Sequence, residues 1–187
     1  MAVAEKPLIW LRPLPVSEAA ALLAGAGTPA AGLAWHAEYP MTETIDALGM
    51  LFPAHRNLGW LGQDEPAWWL HQVVFDGRVV GDVGFHGPPA AAGPAEVEIG
   101  YNVVAGLRGC GIATQACAML VAQAWRDGAE VVVAETERDN VASQRVLQRC
   151  GFVRGVSGNA AEPLRYVIGR PHAGTDQVSD GSLSCES

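Results

Sequence analysis

Six residues, Arg108-Gly109-Cys110-Gly111-Ile112-Ala113, constrain the chain most strongly. They lie between a strand-like run at 97–104 and an apolar run of helical period at about 111–127. A turn from strand to helix through two glycines keeps side chains off the backbone, so several N–H groups can converge on one anion. The helix start adds unpaired donors and the positive end of its dipole. Arg108 to Thr114 therefore reads as a grip for a pyrophosphate.

Two cofactor classes use such a grip. Gly109-Cys110-Gly111 followed by Ile112-Ala113-Thr114 approximates the G-x-G-x-x-G pattern of dinucleotide folds, and Glu135 stands at the end of the next strand as an acid for a ribose. Against that class, Thr114 replaces the third glycine and the motif begins after a hundred residues, leaving room for only about half of a dinucleotide-binding sheet.

As Arg-x-x-Gly-x-Ala, the segment resembles the acetyl-CoA signature of the GNAT superfamily of N-acetyltransferases. Upstream, Glu96-Val97-Glu98-Ile99-Gly100-Tyr101 looks like that family's fourth strand. Downstream, Asn140-Val141-Ala142-Ser143, then Val146-Leu147 and Cys150-Gly151-Phe152, look like its Asn-x-x-Ser helix closed by Gly-Phe. Leu8-Ile9-Trp10-Leu11-Arg12-Pro13 resembles the first strand of the subgroup that includes ribosomal-protein N-terminal acetyltransferases. The resemblance covers about residues 8–170 and implies an acetyl-CoA-dependent N-acetyltransferase that needs no metal.

Length and composition suit one enzyme-sized domain over 1–170 with a polar tail at 171–187: the 187 residues are 49% hydrophobic and 17% charged. No apolar run approaches bilayer length and no basic leader precedes one, so a cytoplasmic, membrane-free protein is expected. Cys110, Cys117, Cys150 and Cys185 lack paired metal spacing and read as free thiols. A net charge of −8 argues against nucleic acid as partner. The balance is −7 over residues 1–107 and +2 over 108–170, so the basic half suits a phosphate-rich cofactor and the acidic half a cationic acceptor.

The pattern of elements predicts a mixed α/β (α+β) fold, a mainly antiparallel sheet with helices on both faces. Strands are expected at 8–12, 68–75, 78–85, 96–104, 130–136, 152–156 and 164–168. Helices are expected at 17–23 with Ser17 as N-cap, at 42–51, at 111–127 with Ile112, Ala116, Met119, Leu120 and Ala124 inward, and from Asn140 to Gly151. Asp76-Gly77 is the hairpin signal. Strand edges and the Trp-rich N-terminal half offer surfaces for a homodimer.

On the 96–104 strand, Val97, Ile99, Tyr101 and Val103 form one face and Glu96, Glu98, Gly100 and Asn102 the other. Acetyl transfer needs the free amine, and an alkylamine with a pKa near ~10 is almost wholly protonated at neutral pH. A carboxylate at the cleft can bind the cation and take its proton. The resemblance points to Glu98 as that base, with Glu96 as alternate beside the substrate. It also implies a proton donor for the CoA thiolate, but Leu147 occupies the position where many members carry a tyrosine. Ser143, Tyr101, Tyr166 and water remain as donors.

The resemblance further implies pantetheine pairing with backbone near Asn102, Val103 and Val104, and a pyrophosphate held by Arg108, Gly109, Cys110, Gly111, Ile112, Ala113 and Thr114. Asn140 and Ser143 would reach the pantetheine and Arg145 the outer phosphates. Trp35, Glu38 and Tyr39 lie where the family builds its acceptor wall, though the same residues suit a packing cluster. Three functions stay open: transfer to a small amine, transfer to a peptide N-terminus, and a catalytically silent acyl-CoA-binding module.

Overall fold

A computed structural model describes residues 8–57, 67–89, 93–155, 159 and 162–171. Of the tail expected at 171–187 only Pro171 falls within them, and Val156 of the expected 152–156 strand falls outside.

The elements follow local sequence closely. β1 (Ile9–Pro13) leads into α1 (Val16–Leu23), whose N-cap is Pro15. Ser17 thus lies one residue inside the helix rather than capping it, because Pro15 already sets an extended φ of −57° and ψ of 143° ahead of the first turn. β2 (Ala34–Trp35) follows, then α2 (Thr42–Asn57), which continues past the expected end at 51 and through Pro53. β3 (Leu70–Phe75) and β4 (Arg78–Phe85) form the expected hairpin. Asp76 and Gly77 have φ of 49° and 72°, the left-handed pair that matches the twist of a two-residue connection.

β5 (Glu96–Val103), a 3₁₀ turn (Ala105–Leu107) and α3 (Ile112–Arg126) come next. α3 buries Ile112, Ala116, Cys117, Leu120, Val121 and Ala124. Met119, expected inward, is 38% exposed, because the buried stripe turns toward residues 117 and 121 and leaves it on the shoulder. β6 (Val131–Thr136), α4 (Val141–Arg149), β7 (Val153–Arg154) and β8 (Leu164–Gly169) are the last elements among the described residues.

Among the described residues, eight strands form a mostly antiparallel sheet in the order β1-β3-β4-β5-β6-β8-β7, with β2 added parallel to the start of β4. One core cluster joins the sheet to α3 and the base of α4, through residues such as Val83, Phe85, Ile99, Ile112, Leu120 and Leu147. A second, on the other face, joins Trp69 and Leu70 to Leu22 of α1 and Leu48 of α2. The expected fold class is the observed one.

At Gly81 the β4–β5 contact leaves no room for a side chain. A Cβ there would lie 2.2 Å from the Asn102 carbonyl oxygen and 3.0 Å from the Val103 Cα, both backbone atoms that cannot swing aside. Gly81→Ala is expected to destabilise the fold by about 2–3 kcal/mol, typical of overpacking. Urea unfolding checks this, and an unchanged midpoint would contradict it.

Candidate functional site

The site is built by a split in the sheet. β5 pairs with β6 only from Glu96 to Glu98, opposite Val131 to Val133, although β5 runs on to Val103 and β6 to Thr136. β6 meanwhile stays paired with β8 along its whole length. The far half of β5 therefore faces a gap whose strand-like backbone groups an extended ligand can pair with.

A cleft of about 610 Å³ fills this gap. Tyr101, Asn102 and Val103 form one wall. The turn and loop contribute Leu107, Arg108, Gly109 and Gly111, and α3 contributes Ile112, Ala113 and Thr114. Asn140, Ala142, Ser143, Arg145, Val146 and Arg149 close the other side. Gly109 and Gly111 have φ of 82° and 81°, and a Cβ at either would meet only open space. The N–H groups of residues 109–114 find no backbone acceptor among the described residues, while Gln115 N–H already bonds the Gly111 carbonyl. These orphan donors beside open space, at the positive end of a four-turn helix, fit a pyrophosphate. Arg108 is braced by its Nε–H on the Val103 carbonyl at 3.0 Å, which leaves the end of its guanidinium for an anion. Asn140 caps α4, its side chain accepting from Ser143 N–H at 3.0 Å.

Most of the expected cofactor residues thus meet in one cleft. Two do not line it: Cys110 is exposed with its thiol donated to the Arg108 carbonyl, and Val104 is fully buried with its N–H donated to the Val80 carbonyl, so it has no donor left for a ligand. Arg149, not among the expected phosphate contacts, lies in the cleft one turn beyond Arg145. An arginine at i+4 from another on a helix was the signal for it.

A second cavity, of about 320 Å³, adjoins the first on the face covered by α2. α2 supplies Glu43, Ala47, Met50 and Leu51, and Leu70 adds to that wall. β4 supplies Asp82, Gly84 and Phe85, His86 follows directly after it, and β5 supplies Gly100, Tyr101 and Asn102. Glu43, Tyr101 and Asn102 line both cavities and mark where they meet. At that junction the Asn102 Nδ2 is buried without a partner among the described residues. The Tyr101 hydroxyl lies 2.8 Å from Ser143 Oγ and also bonds the Ser143 carbonyl at 3.1 Å. Burial, partly opposed by the Ser143 bond, pushes the Tyr101 phenol well above its ordinary range, so it stays protonated.

Glu98 lines neither cavity. Its carboxylate lies 3.1 Å from His86 Nδ1, and that hydrogen bond holds its pKa below the ordinary carboxylate value despite some desolvation. The opposite ring edge of His86 lies over Gly100, where a Cβ would come within 3.0 Å of Nε2. Glu96 pairs with Arg165 at 2.5 Å instead of facing the cavity.

The expected acceptor wall is also different. Trp35 and Tyr39 pack edge to face at 5.5 Å, and Tyr39 is buried, accepting from Gln72 Nε2 at 3.3 Å. They form core because β2 draws this segment down onto β4. Glu38 accepts from Ala105 N–H at 2.7 Å and from Gly106 N–H at 3.4 Å, staking down the turn that leads into the Gly109–Gly111 loop. Glu38→Gln is expected to weaken acetyl-CoA binding about fivefold with little loss of stability, since the amide oxygen can still accept from both N–H groups but without the carboxylate's charge. Calorimetric titration checks this, and an unchanged Kd would contradict it.

Solved structures share this architecture. RimJ of Mycobacterium smegmatis, solved with CoA-disulfide, is 23% identical, with a TM-score of 0.56 over 88% of this chain and 86% of its own. The ribosomal α-N-protein acetyltransferase RimL, solved with coenzyme A, is 18% identical, with a TM-score of 0.56 over 86% and 93%. The microcin self-immunity acetyltransferase MccE, with acetyl-CoA and AMP, is 17% identical, with a TM-score of 0.55 over 87% and 92%. A search of curated proteins found no match. The family model of the acetyltransferase (GNAT) domain matches residues 9–153, and so the chain belongs to the GNAT acetyltransferase family.

Proposed function

We propose that this acetyltransferase moves the acetyl group of acetyl-CoA directly to a small primary amine. One observation carries the reading: the anion-binding cleft opens, at Glu43, Tyr101 and Asn102, onto a compact second cavity of about 320 Å³. That volume lies at the small end of ligand pockets, about 300–1,000 Å³. Its α2 wall is apolar apart from Glu43, which suits an amine with a hydrocarbon body.

The N–H groups of residues 109–114 hold the pyrophosphate, and Arg108, Arg145 and Arg149 neutralise the phosphates around it. The pantetheine pairs with the open edge of β5 near Asn102 and Val103, which brings the thioester to the junction. There the amine nitrogen attacks the thioester carbon and the carbon–sulfur bond breaks. The Tyr101 hydroxyl, held by Ser143, stands by to protonate the thiolate. Glu98 acts through His86, whose ring it holds against the acceptor cavity. Free thiols at Cys110, Cys117 and Cys150 suit a reducing, cytoplasmic setting, and no helix among the described residues is long and apolar enough to cross a membrane.

Thiol release from acetyl-CoA, measured with n-hexylamine, phenethylamine, putrescine and N-terminal tetrapeptides, tests this. The small amines should turn over and the peptides should not. The reverse would make the enzyme a protein N-terminal acetyltransferase, and acetyl-CoA binding with no turnover would make it a silent acyl-CoA module.

A further inference from the structure

The transfer point and the acidic groups around it do not coincide with Glu98. Asn102, which lines both cavities, pairs in register with Asp82 across β4 and β5. Directly opposed residues have Cα atoms about 4.5–5.5 Å apart with side chains on one face. Glu98 lies four residues back along β5, roughly 13 Å away at strand rise. Asp82 is 4% exposed, yet it lines the acceptor cavity and is gripped from α2 by the fully buried Thr44, whose hydroxyl donates to Asp82 Oδ2.

Polar groups surround Asp82 on β3, α2 and β5, and His86 lines the same cavity. From β3, Gln72 pairs with it in register, and Gln72 is tied to Arg12 at 2.8 Å and to Tyr39 at 3.3 Å. From α2, Glu43 adds negative charge at the cavity junction. From β5, Asn102 presents its unpartnered amide. A buried carboxylate with one oxygen fixed, beside an apolar cavity and an unused amide donor, is a built receptor for a cationic nitrogen next to a carbonyl.

We propose that Asp82, fixed by Thr44, receives the ammonium group of the acceptor and takes the proton that it must lose, while the Asn102 amide donates to the acetyl carbonyl oxygen. This rests on the reading of the enzyme as an acetyltransferase for small amines. The ammonium gives one proton to the Asp82 carboxylate, and the freed lone pair forms the bond to carbon. The carbonyl electrons move to oxygen and return as the carbon–sulfur pair leaves with sulfur. The thiolate gains the second nitrogen proton, through Tyr101, and Asp82 returns its own to water at the cavity mouth. Burial pushes the Asp82 carboxyl up to about 7, with the Thr44 bond opposing and Glu43 adding to the rise, which suits a base working near neutrality.

The test compares wild type with Asp82→Asn, Thr44→Val and Glu98→Gln in two measurements: n-hexylamine binding to the protein–CoA complex by calorimetry, and kcat/KM from pH 5.5 to 9.5. Asp82→Asn should weaken n-hexylamine binding about tenfold and lower kcat/KM about a hundredfold, with the acetyl-CoA Kd within twofold of wild type. Thr44→Val should lower kcat/KM, by less than Asp82→Asn, and move the acid limb to higher pH, a shift that a purely structural role would not give. Glu98→Gln should lose less than Asp82→Asn. An Asp82→Asn enzyme within threefold of wild type, a larger loss in Glu98→Gln, or amine binding indifferent to Asp82 would overturn the proposal. A wild type that binds the amine through Asp82 but transfers nothing would instead sink the acetyl-transfer reading and leave the ammonium site standing.

Discussion

Gly111→Val is expected to raise the Kd for acetyl-CoA by about a hundredfold or more while the protein stays folded. Gly111 is the N-cap of α3, with φ of 81° and ψ of 0°. An L-residue in that left-handed region costs about 1–2 kcal/mol, and a β-branched one more. The loop can relieve the strain only by rotating the peptide planes whose N–H groups point into the cleft. The valine side chain would also enter the open space beside Gly111 that the pyrophosphate needs. Gly128→Val is the control. Gly128 follows α3 with φ of 96° and equally open surroundings, but it lies at the far end of the helix from the cleft. It should lose comparable stability and keep its acetyl-CoA affinity. Calorimetric titration of both variants decides the matter: a Gly111→Val affinity within threefold of wild type would remove the loop from the cofactor site.

Asp82→Asn should stabilise the protein at pH 8 and leave it unchanged near pH 4. The folded-state pKa of Asp82 is about 7, against 3.8 for the exposed group, because burial disfavours the anion. Between those values the folded chain binds more proton than the unfolded chain, so stability falls as pH rises from about 4 to about 7 and stays reduced above that. A shift of about three units corresponds to roughly 4 kcal/mol as a ceiling. Asparagine cannot ionise and its oxygen can still accept from Thr44, so most of that cost disappears at pH 8. The expected gain of about 2–4 kcal/mol would appear as a Tm higher by roughly 5 °C or more, closing toward zero by pH 4. Parallel Tm–pH curves for the two proteins would show that Asp82 carries no such shift. Combined with the loss of turnover expected of the same variant, the result would identify a group kept for chemistry at the expense of stability.

The parts of this enzyme that were legible in its sequence are those written locally. Asp76-Gly77 dictates its hairpin through two positive φ angles, and Asn140 caps α4 with its own side chain. Gly109 and Gly111 announce the anion loop, and nearly all the residues expected around it meet in one cleft. What stayed hidden depends on contacts between distant segments. The two-residue β2 exists only because β4 offers a free edge at Arg78 and Val79, and its docking turns Trp35 and Tyr39 into core. α2 outruns Pro53 because packing of Leu48 and Leu51 on the sheet holds the helix across a missing N–H.

The acceptor side was the least legible. Nothing in the order of residues tells where β5 and β6 part, and that point alone decides which side chains stand where the two cavities meet. It lies beyond Glu98 and leaves Asn102 at the junction. Asp82 did carry a signal, an acid inside the apolar run Val79-Val80-Gly81-Asp82-Val83, since a carboxylate is almost never buried without a reason. The Thr44 that explains it lies 38 residues earlier, on a helix whose docking the sequence does not spell out.

The most direct measurement is mass spectrometry of n-hexylamine incubated with the enzyme and acetyl-CoA labelled in its acetyl group, with thiol release followed in the same tube. The expected result is labelled N-hexylacetamide formed one for one with free CoA, in wild type and not in Gly111→Val. CoA released without the amide, or amide formed equally by the Gly111→Val protein, would contradict acetyl transfer at this cleft.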